Sequence, residues 1–318
     1  MKYIITGAAG FIGSTLTDTL LADPAVEQVI GIDAFTDYYA RPLKESNLEQ
    51  ARENDRFQLV EQDIQDVDWI ALLSGGIDGV FHLAAQAGVR ASWGDDFSIY
   101  SNTNILATQR LLEACREPGI RVVAASSSSV YGETKTFPMK EEHRPQPVSP
   151  YGVSKLASEN LGVLYHRNFG LPTVNLRYFT VYGPRQRPDM AFMKFIKAGF
   201  TGAPIHIYGD GEQTRDFTFV QDAVAATIGA MKTGKPGGVY NIGGGSRVSV
   251  NEMLKTLEEL VGQKLNIQYT ERAHGDVTHT FADTSAAKAD LHFEPQVSLR
   301  EGLQREIEWY KEHHLAKA

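Results

Sequence analysis

Short apolar runs alternate with longer amphipathic ones along the first half of the chain. Lys2-Tyr3-Ile4-Ile5-Thr6, Gln28-Val29-Ile30-Gly31-Ile32, Phe57-Gln58-Leu59-Val60, Asp78-Gly79-Val80-Phe81-His82, Arg121-Val122-Val123-Ala124-Ala125 and Thr173-Val174-Asn175-Leu176-Arg177 read as six strands. Their apolar residues do not alternate with polar ones, which suits strands covered on both faces, as in a parallel sheet. Helical spacing separates them: after Gly13 to about Leu21, in a polar stretch before Phe57, over 97–116, and from Pro150 onward. Strand–helix alternation over residues 1–177 predicts an α/β fold, a doubly wound parallel sheet with right-handed crossovers. Beyond Arg177 the elements shorten and aromatic and arginine residues crowd the loops. Residues 178–318 are expected to form a smaller, interleaved, mixed α/β substrate domain, with part of 216–245 returning to the first sheet.

The first turn carries chemistry. Gly7-Ala8-Ala9-Gly10-Phe11-Ile12-Gly13 lies between the first strand and a helix, the context of a Rossmann dinucleotide site. Gly7 permits the tight turn, Gly10 lets backbone approach a pyrophosphate, Gly13 allows close helix packing, and the helix start offers free N–H groups. Asp33 ends the second strand about twenty residues after the glycines, where a carboxylate accepts from ribose hydroxyls and repels a 2′-phosphate. That favours NAD over NADP, although Asp33 could instead cap the following loop. Asp63-Ile64 follows the third strand, where adenine could rest, and Leu83-Ala84-Ala85 forms a small-residue turn suited to close cofactor approach. His82 reads as a core histidine.

Ser149-Pro150-Tyr151-Gly152-Val153-Ser154-Lys155 opens a helix, so Tyr151 and Lys155 share one face a turn apart. An ammonium beside a phenol favours the phenolate, lowering a pKa ordinarily near ~10, and such a tyrosine can exchange protons with an alcohol. The fifth strand ends in Ser126-Ser127-Ser128-Ser129, hydroxyls at a sheet carboxyl end; a plain serine-rich loop is the alternative. Arg187 between Gln186 and Pro188, and Arg215 in Thr214-Arg215-Asp216-Phe217, read as pocket cations for a diphosphate or carboxylate, or else as solvated surface.

Bulk composition narrows the classes. The 318 residues carry a formal charge of −8, with 42% hydrophobic and 22% charged residues. This acidity argues against nucleic acid or an anionic membrane as the main partner. No apolar run reaches the roughly 20 residues of a membrane span, and no signal-peptide pattern precedes the glycine motif. The single cysteine, Cys115, falls on an apolar helical pattern and reads as a buried small residue, so a cytoplasmic address is expected. No His/Cys/Asp cluster shows metal spacing, and no metal is expected.

Taken together, the glycine turn, Asp33, Asp63-Ile64, His82-Leu83-Ala84-Ala85, the serines before Val130-Tyr131-Gly132, Tyr151/Lys155 and Arg215-Asp216-Phe217 resemble the extended short-chain dehydrogenase/reductases, in their nucleotide-sugar epimerase branch. The resemblance implies Tyr151, Lys155 and Ser127 as catalytic residues. It places Asn104 near the lysine and Tyr178 among the NAD contacts. Arg215 and Arg272 become the grips on a substrate's diphosphate and uridine, with Asp276 nearby. Within the branch, Ala84-Ala85-Gln86-Ala87-Gly88-Val89-Arg90, Phe179-Thr180-Val181-Tyr182-Gly183-Pro184 and Arg187-Pro188-Asp189-Met190 look most like UDP-glucuronate 4-epimerases. That likeness implies a sugar carboxylate held by Ser128, Ser129, Thr180 and Arg187, with Gln86 and Arg90 at the substrate. His274 departs from the usual pattern and leaves the Arg272 contact open. The implied activity is NAD-dependent C4 epimerisation of a UDP-sugar by a homodimer. UDP-glucose or UDP-N-acetylglucosamine epimerisation, decarboxylation, and a non-catalytic NAD(H) sensor are the alternatives.

Overall fold

A computed structural model describes residues 1–271 and 275–315. Seven strands form one parallel sheet in the order β10-β6-β5-β4-β1-β2-β3. They are β1 (Lys2–Thr6), β2 (Gln28–Asp33), β3 (Phe57–Glu61), β4 (Gly79–His82), β5 (Arg121–Ser127), β6 (Thr173–Tyr178) and β10 (Gly238–Ile242). The six strands read from the sequence are present. The seventh, β10, arrives from the second half and pairs with β6 from Gly238↔Val174 to Ile242↔Tyr178.

Both faces of this sheet are covered, which explains the unbroken apolar runs. In β1, Ile5 packs among Leu16 and Leu20 of the helix Phe11–Ala22, while its neighbour Ile4 packs among Leu111, Leu112 and Cys115 on the other side. Cys115 is fully buried, and burial pushes its thiol up to about 12. The strand order turns back between β1 and β4, so the chain leaves these neighbours in opposite directions and opens a crevice at their carboxyl ends.

The second region hangs on two small sheets. One is β11-β9-β7, from Arg247–Ser249, Thr214–Phe219 and Thr180–Tyr182; the other pairs β12 (Ile267–Thr270) with β8 (Ile205–Tyr208). Their core holds Tyr182, Phe192, Phe217, Phe219 and Leu303, drawn partly from the helices Ala191–Thr201 and Leu299–Tyr310. Among the described residues no helix is long and apolar enough to cross a membrane, and no metal-like cluster of His, Cys, Asp and Glu occurs.

Glu306 is an outlier in this core. Its side chain is fully buried, neither oxygen has a hydrogen bond of ordinary geometry, and only the Gly183 amide offers relief. Burial therefore raises its pKa well above the usual glutamate range. A carboxyl whose folded pKa is raised favours the fold most at low pH, and that contribution is lost as pH rises through the folded value. Glu306→Gln, a neutral isostere, should match the wild-type melting temperature near pH 4 and exceed it by roughly 2–4 °C at pH 8. Equal destabilisation at both pH values would refute this.

Candidate active site

At the switch point two turns meet backbone to backbone. A Cβ on Gly7 (φ 72°) would lie 2.8 Å from the Ala84 amide nitrogen, and one on Gly13 would lie 2.0 Å from the Gly7 carbonyl oxygen. Gly10 is less confined: it caps the Phe11–Ala22 helix without a side-chain cap and faces the crevice. Thr6 fixes the opposite turn, because its Oγ1 accepts from the Ala84 amide at 3.1 Å and meets His82 Nδ1 at 2.8 Å. Thr108 holds the other ring nitrogen at 2.9 Å, and burial with Lys155 nearby brings His82 down to about 3. The histidine is thus a neutral core strut.

The crevice is a cavity of about 890 Å³. Gly7, Gly10, Phe11, Ile12 and Gly13 line one end, together with Asp33, Asp63 and Ile64. Asp33 lines the cavity, and its oxygens accept from the Ala9 and Phe35 amides at 3.0 and 2.9 Å. Leu83, Ala84, Ala85, Gln86 and Tyr178 form the middle. The Tyr178 hydroxyl is turned away, bonded to Thr227 at 2.6 Å. At the far end are Ser127, Ser128, Ser129, Tyr151, Lys155, Thr180 and Arg187.

Tyr151 sits in the first turn of the helix Pro150–Phe169. Ser149 caps that helix, its Oγ accepting from Gly152 at 3.1 Å, and the Tyr151 amide donates to Ser92 Oγ at 3.0 Å. Burial raises the phenol's pKa, while hydrogen bonding to Ser127 and the positive charge of Arg187 pull it down in part. Arg187, a cation the sequence reading did not connect with the phenol, thus acts on Tyr151 from another element. Lys155 is itself buried, which brings it down to about 8, against the opposing pull of Glu159.

Asn104 lies behind the cavity wall. The helix expected over 97–116 is broken by a π turn at Ser101–Leu106, a distortion frequent at functional sites. Asn104 in that turn accepts from the Gln86 amide at 2.8 Å and donates to the Gln86 carbonyl at 3.0 Å and to Ser154 Oγ at 2.9 Å. Ser154 in turn donates to the Tyr151 carbonyl at 2.8 Å. One amide therefore ties the cofactor-side turn to the tyrosine helix.

Other predicted residues gather elsewhere. Arg90 pairs with Asp276 at 2.5 Å and lies 4.0 Å over the Tyr208 ring. Arg215 donates to the Thr214 and Thr278 carbonyls at 2.9 and 3.1 Å and feels the charges of Asp276, Glu133 and Arg90. This cluster is not part of the cavity lining; it lies beside it, where Gly275 approaches Val89, a lining residue. Arg272 and His274 fall outside the described residues.

Sequence reasoning missed Tyr38 and Lys44, which line the cavity beside Asp33, and Asp189, which holds Arg187 by two bonds of 2.9 and 3.0 Å. The aromatic loop after the second strand was the available signal for Tyr38. It missed as well the buried pair of Glu159 with Arg177, bonded at 2.6 and 2.9 Å, to which the pocket residue Ser126 donates at 2.7 Å.

A crevice of this shape, with a glycine-lined end and a Ser–Tyr–Lys end, defines an extended short-chain dehydrogenase/reductase acting on an alcohol. The model of the family described as GDP-mannose 4,6 dehydratase matches residues 4–306, and the chain belongs to that family. It is 46% identical over 311 residues to a Bacillus subtilis protein described as an uncharacterized UDP-glucose epimerase, covering 96% of this chain and 97% of that one. It is 39% identical over 318 residues to the UDP-glucuronate 4-epimerase of Thermodesulfobacterium geofontis, covering 98% and 96%. The crystal structure of UDP-glucuronic acid 4-epimerase from Bacillus cereus, in complex with UDP-glucuronic acid and NAD, superposes with a TM-score of 0.95 at 45% identity, covering 98% and 99%.

Asn104→Ala should lower kcat by roughly tenfold to a hundredfold through loss of alignment alone, with a small change in melting temperature. Steady-state kinetics beside a thermal melt checks this. An unchanged kcat would remove Asn104 from the positioning set.

Proposed function

We propose that this protein is an NAD-dependent UDP-sugar 4-epimerase whose substrate is UDP-glucuronate. The observation that carries the reading is the shared pocket: Ser127, Tyr151, Lys155 and Arg187 converge at one end of a glycine-lined crevice. The Bacillus cereus structure, with UDP-glucuronic acid and NAD, supports both ligands.

The crevice fits NAD. No side chain caps the Phe11–Ala22 helix, the Gly7 and Ala84 turns leave room only for backbone, and Asp33 stands where ribose hydroxyls would meet a carboxylate. The chemistry NAD supplies when bound is reversible hydride acceptance from C4 of the sugar. Tyr151 takes the proton of the 4-hydroxyl on its phenolic oxygen, Ser127 shares that hydrogen bond, and the protonated Lys155 adds positive charge to the pocket. The resulting 4-keto sugar turns, presents its other face, and recovers the proton from Tyr151. Arg215 beside the pocket, and Arg272, keep the nucleotide in place meanwhile.

A 4-keto uronate is a β-keto acid that can lose CO₂. Ser128, Ser129, Thr180 and Arg187 line the pocket around the phenol, and hydrogen bonds from them stabilise the carboxylate against that loss. One observation favours a neutral sugar as second substrate: Arg187 is already paired with Asp189.

The protein is read as a cytoplasmic homodimer. Ile99 and Leu106 from 97–116, and Val153 and Leu164 from Pro150–Phe169, expose apolar side chains on helices that pack together, a surface suited to a second copy. Residence in the cytoplasm agrees with a free Cys115.

Incubated with UDP-glucuronate, the purified protein should give UDP-galacturonate by NMR, and Tyr151→Phe should reduce turnover by roughly 10²–10⁴-fold. No product from UDP-glucuronate overturns the uronate assignment. An unimpaired Tyr151→Phe variant would leave a dinucleotide sensor as the better reading.

A further inference from the structure

The pairing of Arg187 has a consequence for substrate choice, and it rests on the uronate reading above. The guanidinium offers five N–H donors in two forks. Asp189 occupies the side-on fork, with Nε donating to Oδ1 at 2.9 Å and Nη2 to Oδ2 at 3.0 Å. Both Nη1 hydrogens and one on Nη2 are left over. The arginine lines the cavity with its side chain 21% exposed, whereas Asp189 lies further out at 37%.

The pair is clamped from the opposite half of the molecule. Tyr38, on the loop after β2, donates to Asp189 Oδ2 at 3.3 Å, and its ring lies 5.6 Å from the Arg187 guanidinium. Gly88 closes on the same hydroxyl: a Cβ there would come within 2.7 Å of it.

We infer that Asp189 sets how strongly the site discriminates acidic from neutral sugars, by keeping Arg187 partly neutralised on its outer fork. A lone, largely buried cation would bind a substrate carboxylate hard and penalise a neutral sugar, because the charge would then stay unpaired. Shared with Asp189, the same cation holds the carboxylate less tightly, and a neutral C6 hydroxyl leaves no uncompensated charge. Weaker hold also suits a sugar that must let go and turn between its two encounters with the phenol. Asp189 and Tyr38 are positioning residues, acting through Arg187.

The test measures kcat/KM for UDP-glucuronate and for UDP-glucose in wild type, Asp189→Asn and Tyr38→Phe. Asp189→Asn keeps an acceptor and removes the charge, so the acidic-to-neutral ratio should rise about tenfold or more, with KM for the uronate falling along with kcat. Tyr38→Phe should move the ratio the same way by less. In an Arg187→Met background, Asp189→Asn should leave the ratio unmoved. A ratio that stays constant, or shifts toward UDP-glucose as it would if Asp189 merely aimed the arginine, overturns the inference while an active wild type leaves the uronate reading standing. A wild type inert toward UDP-glucuronate sinks both.

Discussion

The approach of two backbone turns at the switch point of the sheet governs the rest of the structure. Gly7 faces the Ala84 amide so closely that no side chain fits between them, and Thr6 fastens the pair by bonding both Ala84 and His82. Because β1 and β4 are hydrogen-bonded neighbours whose following chain segments diverge, this contact sets the width of the crevice. A wider gap would lose the backbone N–H groups as phosphate partners; a narrower one would exclude a dinucleotide. His82 has a structural purpose here that its chemistry would not announce. A neutral imidazole between two threonines braces the turn without placing a second charge beside Lys155.

Electrostatics in the far end of the crevice is a balance among few groups in a poorly solvated space. Burial pushes Tyr151 toward its neutral form and Lys155 toward its neutral form, the reverse of what a proton-abstracting phenol beside an ammonium needs. Each is offset by a partner at its own side, Ser127 and Arg187 for the phenol, Glu159 for the lysine. Glu159 is itself tied to Arg177, and that arginine donates to the Tyr131 hydroxyl at 2.7 Å, which donates to Asn241. The chain of buried polar groups therefore runs from the catalytic helix to β10, the strand that returns from the second half. Removing Glu159 or Arg177 would leave the other's buried charge uncompensated.

Much of this was legible in the sequence, for identifiable reasons. Strand periodicity survives in the residues themselves, so β1 to β6 and the glycine turn could be placed without coordinates. The Tyr151–Lys155 spacing is local to one helix and needed none either. What could not be read was anything fixed by contacts distant in the chain. Asp189 meets Tyr38 across about 150 residues, and one charge acting on Tyr151 comes from Arg187 on another element. The π turn that aims Asn104 leaves the helical spacing of apolar residues nearly intact, so a continuous helix was expected. Arg90, Arg215 and Asp276 illustrate the same limit: the motif named them, but only the fold shows them grouped beside the cavity and bonded to one another or to backbone.

The loop from Gly183 to Met190, which carries Arg187 into the crevice, is held in an unusual backbone conformation. Gly183 (φ 132°) and Arg185 (φ 69°) both lie in backbone territory that side chains resist, and the Arg185 conformation persists because its guanidinium is bonded to Asp18 at 2.7 Å. Asp18 belongs to the helix that begins at the glycine turn. Gln186, between Arg185 and Arg187, is buried, accepting from the Met193 amide at 3.0 Å and donating to the Val181 carbonyl at 3.3 Å. The segment carrying Arg187 is consequently pinned to the nucleotide half at Asp18 and Tyr38, and to its own half through Gln186. Through the Asp18–Arg185 bond, the helix that presents its N-terminus to the crevice is joined to the segment that carries Arg187.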